Sequence, residues 1–342
     1  MDVNDIAGVG KAIEKFIDLL RGFGWKIYEP FHIKRIADAE SHKRKLETDD
    51  KIYEMEKISE FITKNSNLNI NHNKNGTEIS NANILLENTK SRLVNQELSR
   101  TYNIQNVIYK THNILKDEED VSDKPVTKDW TFKFFSAIED ISDEKMQDLW
   151  AKLLAGEIKQ PGSFSYRTLE TLKNMTSDEA KLFEKFAKLL FLYGCNTTCL
   201  FRNIDLIAKE GIYYKDILKF MEIGLISSSE ESQLKIDDNK LSIALFNKNY
   251  VFEAKLVNNV ETRYFYISIY LISEIGKDIL KLIDDKYSND EFFKNNIKEI
   301  RDNIKNIYKD SVKFKLQKIK NIDLENNIIY PIDENENLIN DI

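Results

Sequence analysis

The stretch "WAKLLAGEIKQPGSFSYRTLETL", residues 150–172, carries the clearest instruction for the fold. An apolar helical face ends in it, a turn follows, and a second helix begins. Pro161 and Gly162 stop the first helix near Ile158–Lys159, because proline lacks the amide donor and glycine reaches turn conformations freely. Ser163 or Ser165 is placed to cap the second helix, which carries Leu169 and Leu172. Two charges sit badly. Glu157 falls in the last turn of one helix, at its negative end, and Arg167 in the first turn of the next, at its positive end. Each placement costs roughly 0.3–1 kcal/mol. A Glu157–Arg167 salt bridge across the turn relieves both and is the expectation. A partner- or ligand-binding role for the same two residues is the alternative.

Helical spacing extends outward from this corner. Trp130, Phe134 and Ile138 form one stripe, and Met146, Leu149, Trp150, Leu153 and Leu154 form a broad apolar face. Ser142 is expected to cap that helix, with Ile141 and Met146 as a hydrophobic staple. Thr176 and Glu179 fit a capping box opening "SDEAKLFEKFAKLLFLYG", with Gly194 as its stop. Upstream, a long helix is expected over 83–116. Leu86, Leu93, Val107 and Ile114 share a heptad column that Arg100 interrupts, so an antiparallel bundle helix is predicted rather than a coiled coil. Arg92, Gln96, Arg100 and Asn103 share another face, either solvated or lining a contact.

Residues 65–82 are polar, Asn-rich and nearly free of large apolar side chains, which reads as a linker. Before it, residues 1–64 form an N-terminal helical segment. Val9, Ile13, Phe16, Ile17 and Leu20 recur at helical spacing until Gly22 and Gly24, and further helices follow Pro30 and run through "KIYEMEKISEFI".

Residues 195–285 change texture. "YYKDILKFMEIGLIS" reads as helix, glycine stop and strand, "KLSIALFNKNYVFEAKL" and "RYFYISIYLIS" as strands, and "SEIGKDILKLI" as helix. This order suggests a small winged-helix-like module, with another α+β arrangement as the alternative. A last helix is expected over about 290–320, with Phe293, Ile300, Ile307 and Phe314 in one column. Residues 286–321 hold ten Lys/Arg against five Asp/Glu, and the tail beyond, to 342, is acidic and expected to fray. The expected fold class is mainly α: a helical-bundle core over 83–194 with a C-terminal α+β winged-helix-like module.

The segments "ELSRTYNIQNVI", "MQDLWAKLLAGEIKQPGSFSYRTLETLKNM" and "DEAKLF" resemble an uncharacterised bacterial family known only as a domain of unknown function. "YEPFHIKRIADAE" and "FMEIGLIS" are similar to its opening and later segments. The resemblance spans most of the chain, leaving out the Asn-rich linker and the final tail. It implies a bacterial cytoplasmic protein with a helical core and implies no reaction. Defence against phages or mobile DNA is the setting expected for such a protein; no residue carries that expectation.

Composition sets further bounds. The 342 residues are 42% hydrophobic and 31% charged with net charge −7, which fits a folded chain and argues against a generally DNA-coating surface. No apolar run reaches the roughly 20 residues of a membrane span, and the N-terminus has no apolar signal core, so a cytoplasmic location is expected. Cys195 and Cys199 supply at most two of zinc's usual four ligands, and His32, His42, His72 and His112 show no helical zinc spacing. The phosphate-loop, dinucleotide and nucleophile-elbow patterns are missing, so no cofactor or metal is expected.

The first functional expectation is a non-enzymatic scaffold or sensor that assembles with itself or with a protein partner. The second is a nucleic-acid binder using the C-terminal module and the basic 286–321 segment. Residues 200–285 carry 11 Lys/Arg against 14 Asp/Glu, which favours protein contacts for that module. The third is an effector enzyme whose carboxylates converge from distant segments.

Overall fold

The computed structural model describes residues 11–22, 76–193, 197–227, 233–236, 242–257, 265–283, 288–323, 328–333 and 337–339. The helices expected after Pro30 and over 51–62, the linker residues 65–75, Gly194 and Cys195 lie outside them. The chain divides into two compact units, Met1–Tyr166 and Arg167–Ile342.

The first unit is helical. Helix α1 spans Lys11–Gly22 and buries Ala12, Ile13, Phe16 and Leu20. Helix α2 spans Gly76–Leu115, 40 residues, or about 60 Å at 1.5 Å per residue. It starts inside the stretch expected to be linker up to residue 82. A polar composition reports how little a segment buries, and it does not bar a helix. The C-terminal part of α2 buries Val107, Ile108 and Leu115, whereas Leu93 and Ile114 are exposed at 53% and 40%. The heptad column is therefore not a seam. Helix α2 packs against α4, where Thr111 Oγ1 lies 3.4 Å from the Ala151 carbonyl.

Helix α3 spans Lys128–Ile138 and α4 spans Glu144–Lys159. The cap of α4 is Asp143, which accepts from the Met146 amide at 2.9 Å, and not Ser142. The expectation was one residue early because both side chains are good caps. The core is aromatic: Trp130 stacks on Phe134 at 5.2 Å, and Phe134 meets Trp150 edge-on at 5.5 Å.

The second unit mixes helices with one sheet. Helices α5 (Tyr166–Asn174) and α6 (Ser177–Ala187) lead into it. The Thr176–Glu179 capping box is formed reciprocally. Helix α6 stops at Ala187, well short of Gly194, because Phe191–Tyr193 is strand β1. A short run such as "LLFLY" suits a buried strand as well as a helix, and periodicity alone does not separate them.

Then come β2 (Thr197–Phe201), α7 (Ile204–Lys209), α8 (Tyr214–Glu222), β3 (Gln233–Ile236), β4 (Ser242–Phe246), β5 (Tyr250–Leu256), β6 (Phe265–Leu271), α9 (Glu274–Leu280), α10 (Asp290–Tyr308), β7 (Val312–Asp323) and β8 (Ile328–Pro331). The strands form one eight-stranded sheet, ordered β3-β6-β2-β1-β4-β5-β7-β8, with antiparallel pairing throughout. The β4–β5 hairpin is thus part of a sheet that draws strands from beyond residue 285.

The final helix is corrected too. Helix α10 ends at Tyr308, and Lys309 takes a positive φ of 50° before β7 begins. The run Val312, Lys313, Phe314, Lys315, Leu316 alternates with the period of a strand. The tail is tied down where it is described. The Leu338 amide donates to the Leu316 carbonyl at 2.8 Å, the Leu316 amide donates to Asn337 Oδ1 at 3.0 Å, and Arg301 donates to the Ile339 carbonyl at 3.0 Å.

Candidate functional site

The corner at 156–166 is a built turn. Glu157 is 2% exposed, and its two carboxylate oxygens accept from the Gly162 amide at 2.6 Å and the Phe164 amide at 3.1 Å. Gly162 has φ +92°, the left-handed region that favours glycine. Ser163 Oγ donates to the Gln160 carbonyl at 2.7 Å. The Phe164 ring lies over Gly156, where an added Cβ would come within 2.8 Å of Cε2. Trp130 Nε1 closes the corner by donating to the Phe164 carbonyl at 3.0 Å. Arg167 is exposed. The carboxylate therefore serves the turn's own amides, a role the expected Glu157–Arg167 bridge misassigned. A buried carboxylate receives charge-assisted bonds from amides that the turn would otherwise leave unpaired. Ser165 sits exposed directly before α5.

The polar stripe of α2 splits in two. Arg100 makes a bidentate contact with Asp140, Nε at 2.9 Å and Nη2 at 3.4 Å, and reaches Glu139 at 3.7 Å. Asn103, 7% exposed, donates to the Glu139 carbonyl at 2.8 Å. Both residues hold the C-terminal end of α3. The hydrogen bond to Asp140 chiefly raises the Arg100 pKa. Arg92 lies exposed farther towards the N-terminus of α2, away from these partners.

A further set of exposed apolar groups lies on α7, on α8 and at the cap between them. Buried Ile207, Ile212, Ile217 and Phe220 anchor this helix pair, and Phe220 packs against Phe183 and Phe186 at 5.4 and 5.1 Å. Beside these anchors Ile204, Tyr213, Tyr214 and Leu218 are 47%, 55%, 49% and 41% exposed. Tyr214 and Leu218 are one turn apart and so share a face. Sequence reading missed this patch, although its signal was present: on α8 the apolar arc runs from Ile217 and Phe220 round to Tyr214 and Leu218, wider than the core covers.

Reactive groups are few. Cys199 is a free, buried thiol that burial pushes up to about 12, which makes it inert. Among the described residues no group of three or more His, Cys, Asp or Glu side chains is placed to hold a metal ion. No described helix is long and apolar enough to cross a membrane.

Comparison with curated proteins and with solved structures finds no match. Residues 87–298 match a family described as "Protein of unknown function (DUF2806)". That match takes in the corner, the Arg100–Asn103 contacts and the whole α7–α8 pair, and covers more than half of the chain: this protein belongs to the DUF2806 family.

Proposed function

We propose that this chain is an assembly protein, and that its second unit presents the exposed α7–α8 face to a second copy of itself. The exposure of Ile204, Tyr213, Tyr214 and Leu218 on one small helix pair carries the reading. Apolar and aromatic side chains grouped on a surface favour protein contact. The chain order β2–α7–α8–β3–β6, with β6 between β2 and β3, supports a winged-helix-like module, with the β4–β5 hairpin inserted where a wing would run. Over 202–222 four cations (Arg202, Lys209, Lys215, Lys219) meet four anions (Asp205, Glu210, Asp216, Glu222). Such a face neither attracts phosphate nor repels its own copy. Light scattering on the full chain tests the proposal. An oligomer that dissociates in Tyr214→Ser/Leu218→Ser supports it, and a strict monomer at high concentration refutes self-assembly.

A second reading is nucleic-acid binding through β7. Lys313 pairs directly opposite Lys255, and Lys315 opposite Glu253. Like charges facing across strands are destabilising, and a phosphate backbone would relieve them. Absence of DNA and RNA binding at low salt would remove this reading.

A further inference from the structure

The first unit contains a cleft of about 370 Å³ between α1, the 121–127 segment and α3. Its apolar wall is formed by Leu19, Val126, Phe132 and Ile158, and its polar groups are Lys15, Asp18, Asp123, Lys128 and Thr131. The two carboxylates are already engaged: Asp123 with Lys11 at 2.6 Å and Asp18 with Arg21 at 3.6 Å. Thr131 donates its hydroxyl to the Thr127 carbonyl at 3.0 Å. The two lining lysines are left with donors to offer. Lys15 spends one ammonium hydrogen on the Lys124 carbonyl at 2.8 Å, and an ammonium has three.

The field in the cleft is positive. With their partners included, Lys11, Lys15, Arg21 and Lys128 stand against Asp18 and Asp123. Helix α3 starts at Lys128, where the macrodipole adds positive charge, and the side chain of Thr127 makes no cap hydrogen bond. Lys15 registers the strain. Burial first, and Lys11 beside it second, push its pKa down, with only Asp123 pulling the other way. An anion seated between Lys15 and Lys128 stabilises the charged ammonium against both effects.

We infer that this cleft binds a small amphipathic anion, its charged head held by Lys15 and Lys128 and its apolar body against Leu19, Val126, Phe132 and Ile158. A cavity of this size with an apolar wall and a few convergent polar groups is the usual form of a small-molecule site. The inference does not depend on the assembly proposed for the second unit.

Octanoate tests it on the full chain, read by displacement of the fluorescent sulfonate 8-anilinonaphthalene-1-sulfonate. Octanoate displaces the dye; octan-1-ol and inorganic phosphate each do so at least about tenfold less well, since one lacks the charge and the other the apolar body. Lys15→Gln/Lys128→Gln weakens octanoate by about tenfold or more, as loss of charge-assisted bonds requires. Lys215→Gln, in the second unit, changes nothing. Val126→Trp, which fills the cleft, abolishes displacement and stands in should the double variant fail to fold. Equal displacement by octanol and octanoate, or unchanged binding in both cleft variants, overturns the inference.

Discussion

Replacing Glu157 with glutamine tests the corner directly. The carboxylate is buried and accepts from two amides, at 2.6 and 3.1 Å. Glutamine keeps one acceptor oxygen but turns an NH₂ group towards the second donor. A buried amide left unpaired costs ~1–3 kcal/mol, and loss of charge assistance in the surviving bond removes about 1 kcal/mol more. The total is about 2–4 kcal/mol. With a urea slope of about 2 kcal/mol per molar, the midpoint falls by roughly 1–2 M. Tryptophan fluorescence reads it, because Trp130 and Trp150 are buried in the first unit. Trp130 also donates to the Phe164 carbonyl inside the corner itself. Arg167→Ala, at an exposed side chain, leaves the midpoint where it was. Equal losses for Glu157→Gln and Arg167→Ala would restore the salt-bridge explanation and refute this one; an unchanged midpoint for Glu157→Gln would refute both.

Further outcomes follow from the same geometry. Gly156→Ala pushes a Cβ against the Phe164 ring at 2.8 Å; overpacking of ~1–3 kcal/mol outweighs the ~1 kcal/mol of helix propensity gained, and calorimetry shows a lower Tm. Asn103→Ala leaves the Glu139 carbonyl without its donor and costs about 1 kcal/mol in a denaturant melt. Cys199, with its thiol pushed up to about 12, stays unmodified by iodoacetamide at pH 8 in the folded chain and is labelled after unfolding, as peptide mass mapping will show. Burial pushes the Glu179 pKa up, but the Lys219 ammonium and the Thr176 amide and hydroxyl outweigh it and hold the pKa below its ordinary 4.5. Its stabilisation is complete above that value and is lost as pH falls through the lowered pKa, so Glu179→Gln flattens the acid limb of a stability–pH profile.

The local chemistry of helix ends was largely legible in the sequence. The Thr176–Glu179 box and the glycine stop at Gly224 each depend on residues a few positions apart. What resisted reading depends on distant partners. Phe191–Tyr193 is a strand because Thr197–Phe201 and Ser242–Phe246 flank it in the sheet. Val312–Asp323 is a strand because β5 offers it seven paired positions. At the candidate site, the charges of Glu157 and Arg167 were visible but the demand of the turn's amides was not, since backbone donors have no letter in the sequence. The α7–α8 patch was written in α8 as one broad apolar arc, and only the packed fold shows that the core takes Ile217 and Phe220 and leaves Tyr214 and Leu218 exposed.

The order of the sheet bears on how this chain is made and cut. The family match ends at residue 298, and β7 begins at Val312. A fragment trimmed to the matched boundary keeps β5 but loses the strand that pairs with Tyr250 through Leu256. Val251, Phe252 and Ala254 then lie on an open, apolar strand edge, the kind that templates edge-to-edge aggregation. A ribosome meets the same interval during synthesis: β5 emerges some sixty residues before the strand that covers it. The last helix and the Lys-rich strand after it therefore act as the sheet's built-in guard, and expression of the matched region alone should yield soluble protein only when residues 299–323 travel with it.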